Sequence, residues 1–223
     1  MNNYLYFDIE TIPTQNAAVR ADIAANMPPP SRMSKPETIA AWEKNDKPAA
    51  VDEAVAKTSF DGAYGHVCCI GWALGCGTPE SAHIGSRIEN EKPILERFFS
   101  ALPQLNVPTI VGHNVIAFDL RFIWQRAIVL GVRVPSWFPR DPRPWNGEVF
   151  DTMLAFAGQR GTIGLDRLAK ALGIEGKKDI DGSMVAGMWA NGRHDEIAAY
   201  CRDDVALTRD IHRRFMIALG EAV

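Results

Sequence analysis

Two acids near the N-terminus are the first residues whose type and spacing suggest chemistry. Asp8 and Glu10 lie two residues apart at the end of an apolar and aromatic segment, 3–9, that is typical of a strand covered on both faces. That spacing places both carboxylates on one face of the strand. Beside apolar neighbours they need a proton, a basic partner or a cation. Taken alone, the pair is also explained by a strand end that emerges into solvent.

A third acid, Asp119, lies in a segment predicted to be a helix over 115–130, directly after the short apolar run 109–112. At about 100° per residue, Asp119 falls on the apolar stripe of that helix. A first-turn aspartate favoured by the helix dipole is the structural alternative. Arg126 shares the stripe, and we expect it to extend its guanidinium to solvent, with an ion pair to Asp119 or a phosphate contact as alternatives.

A fourth acid interrupts the apolar face of the helix predicted over 195–219. Asp204 falls near the centre of that stripe, whereas Asp203 points away from it. Tyr200 precedes Asp204 by four residues, so its hydroxyl lies on the same side of the helix. A carboxylate in the middle of an apolar stripe, well inside a long helix, has no simple structural reason to be there.

These four acids together predict a site for hard divalent cations. Mg²⁺ and Mn²⁺ bind a few carboxylate oxygens and share their remaining coordination positions with water and substrate phosphate. Two such ions about 3.5–4 Å apart can activate a water and stabilise the leaving oxygen at phosphorus. The chemistry predicted is phosphodiester cleavage at a site formed by Asp8, Glu10, Asp119 and Asp204.

The predicted elements that position these acids form an α/β domain. We expect strands at 3–9, 66–74, 80–85, 109–112 and 148–151 and helices at 91–102, 115–130, 164–172 and 195–219. The second and third strands form an antiparallel hairpin. The pattern predicts a three-layer domain with a mixed sheet of about five strands and helices on both faces. We expect one domain over 1–223, with an irregular insertion at about 13–63 that contains one short helix after the capping box at 34–37.

Composition excludes several other classes of protein. The 223 residues are 47% hydrophobic and 23% charged with a net charge of −3, which excludes a disordered chain and argues against binding nucleic acid by bulk charge alone. The four cysteines have no Cys-x-x-Cys spacing, and with the nearby histidines they form no convincing zinc set, so we expect no structural zinc and a reducing compartment. No signal peptide or apolar span of about 18 residues is present, which predicts a cytoplasmic protein without a membrane partner.

Three segments resemble a known family. They are 7–11 (Phe-Asp-Ile-Glu-Thr), 111–119, which ends in Phe-Asp, and 200–204 (Tyr-Cys-Arg-Asp-Asp). In this order they resemble the three exonuclease motifs of the DEDD superfamily of 3′→5′ exonucleases, which have a ribonuclease H-like fold. The last segment has the Tyr-x3-Asp register of the tyrosine subclass. It is similar to the exonuclease domain of family B DNA polymerases and to stand-alone bacterial proteins related to it.

The resemblance implies a role for each of five residues. Asp8, Glu10 and Asp204 would hold one ion, Asp8 would bridge to a second ion, and Asp119 would support that ion through water. Tyr200 would orient the attacking water. The implied substrate is the 3′ end of single-stranded DNA or RNA, whose terminal bases must be splayed, and the products are nucleoside 5′-monophosphates. An RNA or short-oligonucleotide exonuclease and a non-catalytic relative are the alternatives.

Contacts to the terminal nucleotide are also implied. They come from the backbone of Thr11 and Ile12, from Asn114, and from Phe118 beside a base. Asn114 could instead cap a helix, and Phe118 could simply pack.

Two further residues near the motifs are open to a functional or a structural interpretation. His113 could contact a phosphate or be a hydrogen-bonded structural residue. Asp151 could be an outer acid of the site or a helix N-cap.

Overall fold

A single mixed sheet organises the chain. The computed structural model describes residues 4–101, 109–144, 146–176 and 180–221. The strands within these ranges are β1 (Tyr4–Ile12), β2 (His66–Leu74), β3 (Glu80–His83), β4 (Thr109–Gly112) and β5 (Val149–Asp151). They lie in the order β3-β2-β1-β4-β5. β1 pairs antiparallel with β2 and parallel with β4, while β3 and β5 extend the sheet antiparallel and parallel. The predicted five-stranded mixed sheet is confirmed.

Helices connect and cover these strands. They are α1 (Ala17–Asn26), α2 (Pro36–Asn45), α3 (Lys47–Lys57), α4 (Glu91–Ala101), α5 (Asp119–Leu130), α6 (Thr152–Ala157), α7 (Leu165–Ala171), α8 (Val185–Ala190) and α9 (His194–Leu219). Short 3-10 turns lie at Thr58–Phe60, Ile88–Asn90 and Gly182–Met184. In the described ranges, no helix is both long enough and apolar enough to cross a bilayer.

The central strand β1 is buried on both faces, as predicted. Phe7 on one face packs against Phe98 of α4, with ring centroids 5.6 Å apart. Tyr6 on the other face belongs to a cluster with Val205 of α9. Because strand residues alternate, Asp8 and Glu10 lie on the Tyr6 face, towards α9. The three layers are therefore α4, the sheet and α9.

Close packing of α9 on the sheet depends on a glycine opposite Asp8. Gly71 of β2 pairs with Asp8. A Cβ atom at Gly71 would lie 2.9 Å from Sγ of Cys201 and 3.1 Å from its carbonyl oxygen. A side chain at this position would push the helix away from the strand that carries the acids.

The one short helix predicted within the insertion at 13–63 is present as α2, but the prediction that the rest is irregular is wrong, because the segment also forms α1 and α3. Its apolar periodicity is weak: α1 has no buried residue, α2 buries Trp42 and α3 buries Val51. The predicted capping box is also absent. Helix α2 begins at Pro36 with Lys35 as its N-cap and no capping side-chain bond, since proline at the first helical position sets the start.

Helix α5 begins at Asp119, four residues later than predicted. The preceding turn contains Asn114 in the left-handed region at φ 59°. Residues 115–118 form a turn and not the first turn of the helix. The C-terminal end is as predicted, since Gly131 adopts φ 63° and closes the helix. Helices α6 and α8 have only six residues each and were not predicted.

Strand β1 continues to Ile12, three residues past its predicted end, and the other predicted boundaries that lie in the described ranges hold to within two residues. The predicted strand at 80–85 ends at His83, and the final helix begins at His194. Residues 3 and 102, which began and ended two predicted elements, lie outside the described ranges.

Candidate active site

The acids of β1 lie where the sheet meets α9. Glu10 is buried and Asp8 is half-buried. A carboxylate oxygen of each and Sγ of Cys201 lie within 4.8 Å of one another. The Cys201 thiol also contacts the backbone oxygen of Asp8 at 3.5 Å and Oδ2 at 3.6 Å. The prediction that the two acids share a face is therefore confirmed, and Cys201 is a neighbour of the pair that the sequence did not indicate.

Asp119 connects α5 to the same stretch of β1. Its Oδ1 accepts a hydrogen bond of 3.0 Å from the backbone amide of Ile9, the residue between Asp8 and Glu10. The side chain is buried. Burial, together with the charges of the Asp151 and Asp204 carboxylates, raises the pKa of Asp119 to about 8. Without a cation, this carboxyl therefore favours its neutral form.

Helix α9 supplies Asp204 and Tyr200. Asp204 is buried whereas Asp203 is exposed, which confirms the orientation predicted from the helical stripe. Burial raises the pKa of the Tyr200 hydroxyl far above its usual value, and the charges of Asp204, Glu10 and Asp8 raise it further, in that order. Tyr200 thus lies in the electrostatic field of three of the predicted acids and stays protonated at neutral pH.

The structure therefore brings together the five side chains that the motifs indicated. Asp8 and Glu10 come from the central strand, Asp119 is the first residue of α5, and α9 supplies Tyr200 and Asp204. The negative charges of these carboxylates raise the pKa values of neighbouring groups in the site, because each charge disfavours ionisation of its neighbours. A compact group of buried carboxylates of this kind is a potential binding site for divalent cations.

His113 is bound to protein atoms through both ring nitrogens. Nδ1 lies 2.9 Å from Oγ1 of Thr152, and Nε2 lies 2.8 Å from the carbonyl oxygen of Ile163. Since a carbonyl only accepts, Nε2 carries a proton. Burial lowers the pKa of His113, so the ring is neutral at pH 7. This arrangement favours the structural alternative over a phosphate contact.

Asp151 is the N-cap of α6, which was the structural interpretation of this residue. It also holds the turn before α5. Its Oδ1 accepts from the amides of Met153 and Leu154 at 3.0 and 3.2 Å. The same carboxylate accepts from the amides of Asn114 and Ile116 at 3.0 and 3.1 Å. The N-cap of α5 is Phe118, so Asn114 does not cap that helix. The turn that leads to Asp119 is shaped by a side chain 37 residues further along the chain.

Three residues implied to contact the nucleotide border the acids. Thr11 and Ile12 follow Glu10 on β1, with Ile12 buried, and the Thr11 hydroxyl donates to the carbonyl oxygen of Ser59 at 2.7 Å. Phe118 directly precedes Asp119, and its ring lies 6.2 Å from that of Phe60 and 5.6 Å from that of Phe122.

The expectation that Arg126 reaches solvent is wrong. Its side chain is buried and binds Glu91 of α4 through two bonds, Nε to Oε1 and Nη2 to Oε2, both at 2.7 Å. Burial opposes ionisation of Glu91, but hydrogen bonds from His66 and Arg126 outweigh burial and lower its pKa. The carboxylate of Glu91 compensates the buried guanidinium and removes the reason for Arg126 to extend outward.

Comparison with solved structures confirms the predicted ribonuclease H-like fold. The chain superposes on the family B DNA polymerase from the hyperthermophilic archaeon Pyrobaculum calidifontis with a TM-score of 0.60 and 18% sequence identity. The match covers 97% of this chain and 25% of the polymerase. The chain thus corresponds to a quarter of that protein's length, and the likeness is one of fold.

The sequence also matches a protein family. Residues 66–222 match the family described as predicted 3′-5′ exonuclease related to the exonuclease domain of PolB, and the chain belongs to this family. The resemblance inferred from the three motifs is confirmed. A search among curated proteins finds no match.

Proposed function

We propose that this protein is a metal-dependent 3′→5′ exonuclease that acts on single-stranded ends, with DNA favoured, and releases nucleoside 5′-monophosphates. The observation that carries the proposal is the meeting of buried Glu10, Asp119 and Asp204 beside Asp8 and Tyr200. These side chains come from elements far apart in sequence, and the family of the chain is one of exonucleases.

The donor set fits hard divalent cations. Asp8, Glu10 and Asp204 offer carboxylate oxygens, the ligands that Mg²⁺ and Mn²⁺ prefer, and Asp119 would act through a water ligand. The charged neighbours that raise the pKa of Asp119 are themselves carboxylates. A bound cation would therefore offset the repulsion between these carboxylates. When bound, two such ions lower the pKa of a water and stabilise charge on the phosphate.

The protein groups would position the reactants. Because the Tyr200 hydroxyl stays protonated, it serves as a hydrogen-bonding group that orients the attacking water rather than as a general base. The bond from the Ile9 amide fixes Asp119 against the strand that carries Asp8 and Glu10. The backbone of Thr11 and Ile12 and the side chains of Asn114 and Phe118 would hold the terminal nucleotide.

The test is 3′ shortening of oligonucleotides. Single-stranded DNA and RNA labelled at the 5′ end are incubated with the protein in Mg²⁺, Mn²⁺ or EDTA. We expect stepwise loss of 3′ nucleotides in metal and none in EDTA, with faster loss from DNA. Faster loss from RNA would replace the DNA preference. No metal-dependent shortening of either polymer would contradict the proposed activity.

A further inference from the structure

We propose that Phe60 forms, with Phe118, a stacking subsite for an unpaired nucleobase close to the 3′ end of the strand. This inference rests on the proposed exonuclease function and assigns a substrate contact to the segment between β1 and β2. Phe60 precedes the first residue that the family description covers, residue 66. It also lies outside the three exonuclease motifs.

Phe60 is unusually exposed for a phenylalanine. The residue is 74% exposed, the largest value among the exposed large hydrophobic residues in the described ranges. Single exposed apolar residues are common, so exposure alone has no functional meaning. The position of Phe60 relative to the acids gives the exposure its significance.

Two separate routes connect Phe60 to the acids. On one side its ring lies 6.2 Å from the ring of Phe118, which directly precedes Asp119. On the other side, the carbonyl oxygen of Ser59 accepts the Thr11 hydroxyl at 2.7 Å, and Thr11 directly follows Glu10. On each side, the residue in contact with this segment is therefore the sequence neighbour of an acid of the site. In the proposed complex, a strand whose terminal phosphate lies at the acids would pass close to the Phe60 ring.

The segment that carries Phe60 is held firmly in place. Before it, Oγ1 of Thr58 accepts from the amide of Thr14 at 2.8 Å. After it, the carbonyl oxygen of Gly62 accepts from Nη1 of the buried Arg126 at 3.2 Å. Gly62 packs so closely on α5 that a Cβ there would lie 2.5 Å from the side chain of Gln125. An exposed ring on a fixed segment loses little entropy when it binds a ligand.

The chemistry of this surface suits bases rather than phosphates. Aromatic rings stack on any nucleobase, since every base has a π face, and such contacts are tolerant of sequence. The planes of Phe60 and Phe118 are inclined at 58°. A base stacked on Phe60 and one stacked on Phe118 therefore cannot remain parallel, so the subsite favours a splayed single strand over a duplex end.

The test compares steady-state cleavage of single-stranded DNA by Phe60→Ala, Phe60→Trp and a matched control, Ile128→Ala. Ile128 is also exposed and apolar, and it lies on α5 roughly 13 Å along the helix from Asp119. We expect Phe60→Ala to raise KM about 5- to 150-fold with a smaller change in kcat. Phe60→Trp should restore KM, and Ile128→Ala should leave it unchanged.

A second substrate separates base stacking from a structural effect. When the nucleotides nearest the 3′ end are replaced by abasic sugars, the KM values of wild type and Phe60→Ala should converge, because the ring then has no base to contact. An equal penalty on both substrates, or an unchanged KM on normal DNA, would overturn the inference. The latter result would instead favour a protein partner as the ligand of Phe60.

The inference can fail or survive independently of the proposed activity. If the wild type cleaves DNA and Phe60→Ala cleaves it with the same KM, only the stacking subsite fails. If the wild type cleaves no nucleic acid, fluorescence anisotropy with short single-stranded DNA still tests the subsite. Tighter binding by wild type than by Phe60→Ala would support it, and equal binding would overturn it.

Discussion

Neighbouring aspartates of α9 have opposite surroundings. Asp204 is buried beside Tyr200, while Asp203 is exposed. We expect Asp204→Asn to lower kcat/KM at least about a hundredfold, because cation coordination at such a site contributes several kcal/mol to the transition state. Asp203→Asn is a matched control and should stay within about twofold. Equal losses in the two variants, measured on 5′-labelled single-stranded DNA, would show that burial of Asp204 has no catalytic meaning.

The Tyr200 hydroxyl makes a separate prediction. Burial and the charges of Asp204, Glu10 and Asp8 keep this hydroxyl protonated. Its removal should therefore weaken the orientation of the attacking water without removing a proton acceptor. Tyr200→Phe should therefore lower kcat about 10- to 100-fold, with KM little changed. The pH profile of kcat between pH 6 and 10 should keep its shape. Loss of an inflection in that profile would instead identify Tyr200 as a titrating base.

At the residue scale, the sequence predicted the acids well because each interrupts an apolar pattern. Asp119 and Asp204 lie on stripes that otherwise bury apolar side chains, and the structure buries both. The partners of Arg126, His113 and Asp151 were harder to predict. Each bonds a residue between 35 and 50 positions away, and no local pattern indicates which distant groups will meet.

At the scale of elements, α4 and α5 are joined by the buried pair Glu91–Arg126. Replacing Arg126 by Met leaves the Glu91 carboxylate buried without its main partner. We expect Arg126→Met to lower the free energy of unfolding by about 3–5 kcal/mol, measured by urea denaturation. Arg193→Ala breaks the exposed ion pair with Glu196 on α9. This variant should leave the free energy of unfolding nearly unchanged. A comparable loss in both variants would contradict a special role for the buried pair.

Elements with strong periodicity were predicted close to their observed bounds. Strand β2 and helices α4 and α9 each bury a clear apolar face. Helices α1 to α3 bury two residues between them, so their sequence contains little of the pattern on which such predictions depend. The late start of α5 follows from the bonds between Asp151 and the turn, which are tertiary contacts.

At the scale of the whole molecule, His212 is one of the groups that link stability to pH. This buried side chain of α9 faces the sheet, with Nδ1 3.0 Å from the hydroxyl of Tyr6 on β1. Burial lowers the pKa of His212 to about 4. Because the folded pKa lies below the usual value of 6.5, its contribution to stability is present above pH 6.5 and is lost as pH falls towards 4.

The matched variants for this effect are His212→Gln and His194→Gln. The first removes the titrating group, so the stability difference between wild type and His212→Gln should shift against wild type as pH falls from 6.5 to 4. The second lies at the start of α9 and should keep the wild-type slope, since it retains His212. Urea denaturation across this range measures both. An unchanged slope in His212→Gln would contradict this assignment.

The most direct measurement of the central claim is anomalous scattering from a crystal of the protein soaked in Mn²⁺. The account predicts manganese density bounded by the carboxylates of Asp8, Glu10 and Asp204, with Asp119 within reach of a water on the metal. It also predicts loss of that density in Asp8→Asn crystals. Manganese bound only elsewhere, or none at a concentration that supports cleavage, would contradict the claim that these distant acids form one metal site.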